Sequence, residues 1–130
     1  MVKAFNPPDI APPVSRYSHC VEVKGGRWLH IAGQVGTAPD GTLRQGLAEQ
    51  TAQCFANIEA ALQAAGMTKA NLVKLTIFVT SSSPETVQIY RAQRDQWLTE
   101  AHPPAATYLV VAGLAHPDFL IEIEAVAADD

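Results

Sequence analysis

Glu122 and Glu124 stand two residues apart in the run FLIEIEAVA at 119–127, where apolar and charged side chains alternate. In an extended strand this spacing puts both carboxylates on one face, together with Leu120 and Val126. Taken alone, such a run reads as a solvent-facing edge strand. Pressed against a subunit contact, the same face would hold a carboxylate among apolar neighbours. There it resists ionisation unless paired, which suits a general base acting on water. A second group lies at Tyr17-Ser18-His19, where Tyr17 and His19 alternate onto one side. Tyr17 offers a phenol that either packs or binds a ligand, and His19 an imidazole that either relays a proton or is structural. Cys20 points away from His19, which argues against a nucleophilic pair between these neighbours.

Other chemistries find no support. His19, His30, His102 and His116 show no metal-ligand spacing, so neither a metal nor another cofactor is expected. Cys20 and Cys54 belong to no CxxC pattern and read as free thiols of a reducing compartment. With nine basic against thirteen acidic residues and a formal charge of −4, the chain has no basic stripe for nucleic acid. The N-terminal MVKAFNPPDIAPP has no apolar core of a secretory signal, and no apolar run approaches the ~18 residues that span a bilayer. The expectation is a cytoplasmic protein that engages neither nucleic acid nor membrane.

The elements that must hold these residues can be traced along the chain. At 130 residues, 48% apolar and 17% charged, one domain is expected. Four prolines within 6–16 make residues 1–16 an extended arm, the domain proper spans 17–127, and 128–130 form an acidic tail. Residues 18–24 alternate as a strand, Gly25-Gly26 signals a two-residue hairpin, and RWLHIAG continues as its partner. A weak third strand is expected near Thr42–Gln45. Leu47, Cys54, Phe55, Ile58, Leu62 and Ala65 follow the helical period, with Gly66 as the terminating residue. A strand at 72–80 precedes a second helix, opened by Ser83-Pro84-Glu85 and ended before His102-Pro103-Pro104. Two strands, 106–114 and 119–127, complete the order β-β-(β)-α-β-α-β-β. This is an α+β fold: a single mixed sheet with both helices on one face. The strand 106–114 is apolar on both sides, so the bare sheet face calls for a cover, and a second copy of the chain is the expected one.

Four short strings carry a resemblance: Tyr17-Ser18-His19, Ala-Gly-Gln-Val-Gly at 32–36, Ala-Glu-Gln-Thr at 48–51 and Ile-Glu-Ile-Glu-Ala-Val-Ala at 121–127. The segment 71–80 fits with them. None is specific alone, but their order and spacing over roughly residues 14–127 resemble the RidA/YjgF family, also labelled endoribonuclease L-PSP. The resemblance implies a chorismate-mutase-like α+β fold assembled as a homotrimer, with pockets between subunits. In the family's deaminases an arginine grips the substrate carboxylate and a glutamate positions water. A backbone group of the glycine loop and a tyrosine complete the cavity. Water attacks the C=N carbon, releasing ammonia and leaving a keto acid.

Carried onto this chain, the resemblance makes Glu122 the catalytic, water-positioning acid, with one extra residue in the loop before it. Tyr17 and Gly33 become substrate-binding residues. The family's Pro-Ala-Arg pattern reads Pro104-Ala105-Ala106, so Ala106 stands in place of the arginine. Tyr108 replaces a frequent cysteine, and Val87 a frequent asparagine. A guanidinium fork on a carboxylate contributes about 1.5–3 kcal/mol and fixes the imine carbon beside its water. Alanine supplies neither. Arg16, next to Tyr17, is either a replacement anchor or a solvated side chain. Arg27, Arg91 and Arg94 read as exposed charges. Tyr108 with Ala106 would give a less charged, more aromatic cavity. Two functions follow. One is hydrolysis of an imine or enamine other than the usual 2-imino acids. The other is a small-ligand or interaction module that has lost the chemistry. Ribonuclease activity is disfavoured by the acidic charge and the lack of paired histidines.

Overall fold

Alternation in sequence becomes alternation in burial. The computed structural model describes residues 2–129. Its strands are β1 (Val2–Phe5), β2 (Cys20–Val23), β3 (Arg27–Val35), β4 (Leu72–Val79), β5 (Ala105–Val110) and β6 (Ile121–Asp129), with helices α1 (Leu47–Ala64) and α2 (Pro84–Trp97). In β4 the side chains of Leu75, Ile77 and Val79 are buried, while Lys74, Thr76 and Phe78 face the other way and are half-exposed. β6 does the same with Ile121, Ile123, Ala125 and Ala127 against Glu122, Glu124 and Val126.

The main sheet runs in the order β3-β6-β4-β5, with β4 and β5 parallel and the other pairs antiparallel. A parallel pair needs a crossover, and α2 supplies it. Both helices pack on one face. Cys54, Phe55, Ile58 and Leu62 of α1 meet the buried residues of β4 and β6, and Tyr90 of α2 joins the same core. Phe55 stacks on Trp97 with ring centroids 4.5 Å apart, tying the helices together. α1 ends where Gly66 adopts φ +71°, while the Met67 N–H donates to the Leu62 carbonyl at 2.8 Å. α2 begins where Ser83 Oγ accepts the Glu85 N–H at 3.2 Å, with Pro84 in the first turn.

The α+β class and the helices on one face agree with expectation, and several details differ. The segments around Gly25-Gly26 do not form a hairpin. β2 pairs with β1 in a separate two-stranded ribbon, whereas β3 pairs with β6. The expected arm thus opens with a strand of its own. Near Thr42–Gln45 there is only an isolated bridge between Thr37 and Leu43, because the polar loop offers no second row of partners. β5 ends at Val110 rather than continuing to 114. Of the expected acidic tail, Ala128 and Asp129 belong to β6, with Asp129 paired to Arg27 at 2.5 Å, and Asp130 lies outside the described residues.

Ser18 sews the chain along the outer edge of β5. Its N–H donates to the Pro104 carbonyl at 3.0 Å, its hydroxyl reaches the Pro103 carbonyl, and it bridges Ala105 in parallel register. That stitch carries Tyr17 to the neighbourhood of Ala106.

Candidate functional site

The residues expected to act together fall into two groups on opposite faces of the sheet. Tyr108 pairs with Ile77, and Ile77 with Ile123, so Tyr108 and its strand neighbour Ala106 lie on the helix side. Glu122 pairs with Phe78 and Val35 and faces the uncovered side.

The first group is built around Glu122. Opposite it, β3 has an irregularity between Ile31 and Gln34, where the regular pairing with β6 shifts. A bulge of this kind re-aims the backbone. Gly33 sits in it, so near the acid that a Cβ would come within 1.9 Å of Glu122 Oε2. Only a residue without a side chain leaves that space to the carboxylate. The Cys54 thiol is pushed up to about 12, mainly by burial and secondarily by the negative charge of Glu122. Cys54 Sγ also donates to the Gln34 carbonyl at 3.1 Å, holding the bulge to α1.

Gln50, on the buried face of α1, was not singled out from sequence, yet it fixes the approach to Glu122. Its amide donates to the carbonyls of Asp118 at 3.0 Å and Arg44 at 3.1 Å, and its oxygen accepts the Leu120 N–H at 2.9 Å. Asn57 holds the other side, donating to the carbonyls of Val35 at 3.3 Å and Thr37 at 3.1 Å. Glu124, two residues on, is exposed.

The second group forms a cavity of about 260 Å³ between the end of the arm, β5 and α2. Tyr17, Ala106 and Tyr108 line it as expected, and Val87 does too. Burial raises the Tyr108 hydroxyl above its ordinary value, opposed by the nearby Arg91. Arg16 stands apart from this cavity. It is exposed, 3.6 Å from Asp95, and borders a shallow open recess beside Tyr17. His19 is tied to the arm, its Nε2 2.6 Å from the Ala11 carbonyl and its backbone N–H donating to Asn6 Oδ1 at 2.7 Å.

Arg94 corrects an expectation. Its side chain is 8% exposed rather than solvated, and it lines the cavity together with Arg91, which is exposed. The signal was present in the sequence. Val87, Tyr90, Arg91 and Arg94 recur at the spacing of a single helix stripe, and that stripe is the one turned toward the sheet. Among the described residues no group of three His, Cys, Asp or Glu could hold a metal ion, and no helix is long and apolar enough to cross a membrane.

A four-stranded mixed sheet backed by two helices, with a glycine-loop acid on its bare face, defines a small α+β domain of the Rid type. The family model described as Endoribonuclease L-PSP matches residues 9–129. Over 80 residues the chain is 41% identical to a RutC family protein of Aquifex aeolicus, an alignment spanning 61% of this chain and 62% of that relative. The structure superposes on YyfB of Yersinia pestis, described as a protein of unknown function of the conserved Rid protein family. The TM-score is 0.90, with 40% identity and 98% of both chains covered. It also superposes on RidA from the Antarctic bacterium Psychrobacter sp. PAMC 21119 with a TM-score of 0.73, 30% identity, and 90% of this chain and 91% of that one covered. The chain belongs to the endoribonuclease L-PSP, or RidA/YjgF, family.

Proposed function

We propose that the protein hydrolyses a C=N bond in a small molecule at a site completed by two copies of the chain, assembled as a homotrimer. Glu122 of one protomer faces the Tyr17–Ala106–Tyr108 cavity of its partner. The observation that carries this reading is the Glu122–Gly33 contact, in which the chain omits a side chain where the carboxylate needs room. An acid on one face of a sheet and a cavity on the other cannot serve one substrate within a single chain. The bare sheet face, with Leu109 40% exposed, supports a contact between copies.

Glu122 takes a proton from water as the oxygen attacks the imine carbon. Glu122 passes that proton to the nitrogen, the hydroxyl of the adduct gives up its own proton by the same route, and the C–N bond breaks so that ammonia leaves and the carbon becomes a carbonyl. Ala106 places no charge on β5, so the carboxylate beside the imine carbon of an ordinary 2-imino acid has no anchor there. The substrate is therefore of another kind.

Imines generated in situ from a panel of amino acids and amines, followed by ammonia release, test this reading. Wild type should release ammonia from some members. Glu122→Gln should fall by about 10²–10⁴-fold, the usual contribution of a general base. Equal rates in the two proteins would refute it. Ala106 itself favours a second reading, a ligand-binding module without turnover. Silence of wild type, with activity gained in Ala106→Arg, would establish a lapsed enzyme.

A further inference from the structure

We propose that the buried hydroxyl of Tyr90 determines specificity by donating to a neutral acceptor at the floor of the Tyr17 cavity, an assignment that takes this cavity as the substrate half of the site. The molecule admitted is then an uncharged imine on a ring-sized apolar body. It carries one neutral acceptor, a carbonyl or ether oxygen, apart from its C=N bond.

The orphaned hydroxyl comes first. Among the described residues, Tyr90 Oη is the buried side-chain polar atom without a hydrogen-bond partner. The residue is 3% exposed and lines the cavity. A hydroxyl buried without a partner is costly, and phenylalanine would fill the same space without that cost. A partner that arrives with the ligand accounts for the tyrosine. Burial raises the ionisation of the hydroxyl well above its ordinary range, against the pull of Arg94, so it stays a proton donor at working pH.

The ring is also held in place. Phe55 and Tyr108 lie at 6.1 and 5.5 Å between centroids, and the Arg94 guanidinium carbon stands 5.7 Å from its centre. Tyr90 and Ile77 are the most deeply buried residues of the lining, whereas Val14 on the arm is 84% exposed. Tyr90 therefore belongs to the floor and the arm to the mouth. In the empty cavity the hydroxyl is closed off from solvent. A ligand atom reaches it by turning aside the half-buried Tyr108 ring that leans on it.

The charges nearby already have partners or face water. Arg94 Nε and Nη2 donate to Asp95 Oδ1 at 3.1 and 3.0 Å, and Nη2 also donates to Ser15 Oγ at 3.0 Å. Arg91 is exposed, where solvent and salt screen it. Ile77, Val87 and Ala106 add apolar surface. The donor left unmatched is thus neutral, and a full charge brought to the same depth would have to shed its water. A dry cavity of roughly 150 Å³ takes a benzene ring, so about 260 Å³ has room for a ring and a short polar substituent.

Acetophenone and ethylbenzene, which share a skeleton and differ by one carbonyl oxygen, are the probes. Their dissociation constants are read by NMR titration of the full chain, in wild type and in Tyr90→Phe. The variant should bind acetophenone about tenfold more weakly, the scale of one buried hydrogen bond, and ethylbenzene as wild type does. Free Tyr90→Phe should melt no lower than wild type, because the hydroxyl it lacks has no partner within the fold. Benzoate, whose charge keeps it at the rim, should be little affected by the substitution. Equal losses for acetophenone and ethylbenzene, no binding of either, a benzoate loss as large as that of acetophenone, or a lower melting temperature of the free variant would overturn the proposal. Glu122→Gln should bind acetophenone normally. If wild type holds acetophenone through Tyr90 yet releases no ammonia from any imine, the hydrolytic reading falls and the Tyr90 site stands. Ammonia release with acetophenone affinity indifferent to Tyr90→Phe would sink the Tyr90 assignment alone.

Discussion

The Glu122 carboxylate occupies the place where a methyl group on Gly33 would stand. A Cβ built on that glycine would lie 1.9 Å from Oε2 and 2.7 Å from the carboxyl carbon. Backbone and acid are thus fitted to each other across β3 and β6, and the shift in pairing between Ile31 and Gln34 makes the fit possible.

Gly33→Ala should keep the fold but displace the acid, since the carboxylate is the end of a side chain that can swing aside. A misplacement of about 1 Å at a reacting group can cost on the order of 10²-fold in rate. Ammonia release should therefore drop by that order while the melting temperature moves little. Unchanged turnover would show that the position of Glu122 does not matter.

Gly36 is a different case. Its Cβ would meet the Gln50 Cα at 2.6 Å, a backbone atom that cannot turn away. Gly36→Ala should force α1 off β3 and lower stability markedly. Gln50→Ala should cost about 1–3 kcal/mol by leaving the Leu120 N–H without its buried acceptor. Urea unfolding of both variants checks this, and wild-type midpoints would contradict it.

Alkaline pH should unfold the protein through Cys54. Burial lifts the thiol from its ordinary 9.0 to about 12, and the buried Tyr90 hydroxyl is raised in the same direction. Both groups hold their protons more tightly when folded. Their contribution is complete below about pH 9 and is lost as pH climbs from there toward 12. Urea midpoints should fall over that range, and less steeply in Cys54→Ala. A midpoint that rises with pH would contradict the assignment.

How much of this was legible in the sequence depends on how local each feature is. The alternation of β4, the period of α1 with Gly66 at its end, and the Ser83-Pro84-Glu85 start of α2 are local, and each element formed where its residues indicated. The Gly25-Gly26 turn was visible too, since both residues take positive φ, at 65° and 83°. What a turn cannot state is which edge each strand joins next. β2 found β1 and β3 found β6, choices made by long-range packing. Glu122, Tyr17 and Gly33 were singled out through the resemblance. Arg94 and Gln50 were missed because a polar side chain on a helix is read by default as solvated. Both lie on stripes shared with buried residues, and that position outweighs their polarity.

The split of the site between two chains is tested most directly by complementation. Glu122→Gln and a variant damaged only in the cavity, such as Tyr17→Ala, are each expected to release little ammonia. Unfolded together and refolded as mixed oligomers, they should regain activity, because about a quarter of the contacts in a head-to-tail ring of randomly mixed chains pair two intact halves. Recovery to roughly that fraction of wild type is the predicted result. Mixed oligomers as inactive as either parent would contradict a site built from two copies.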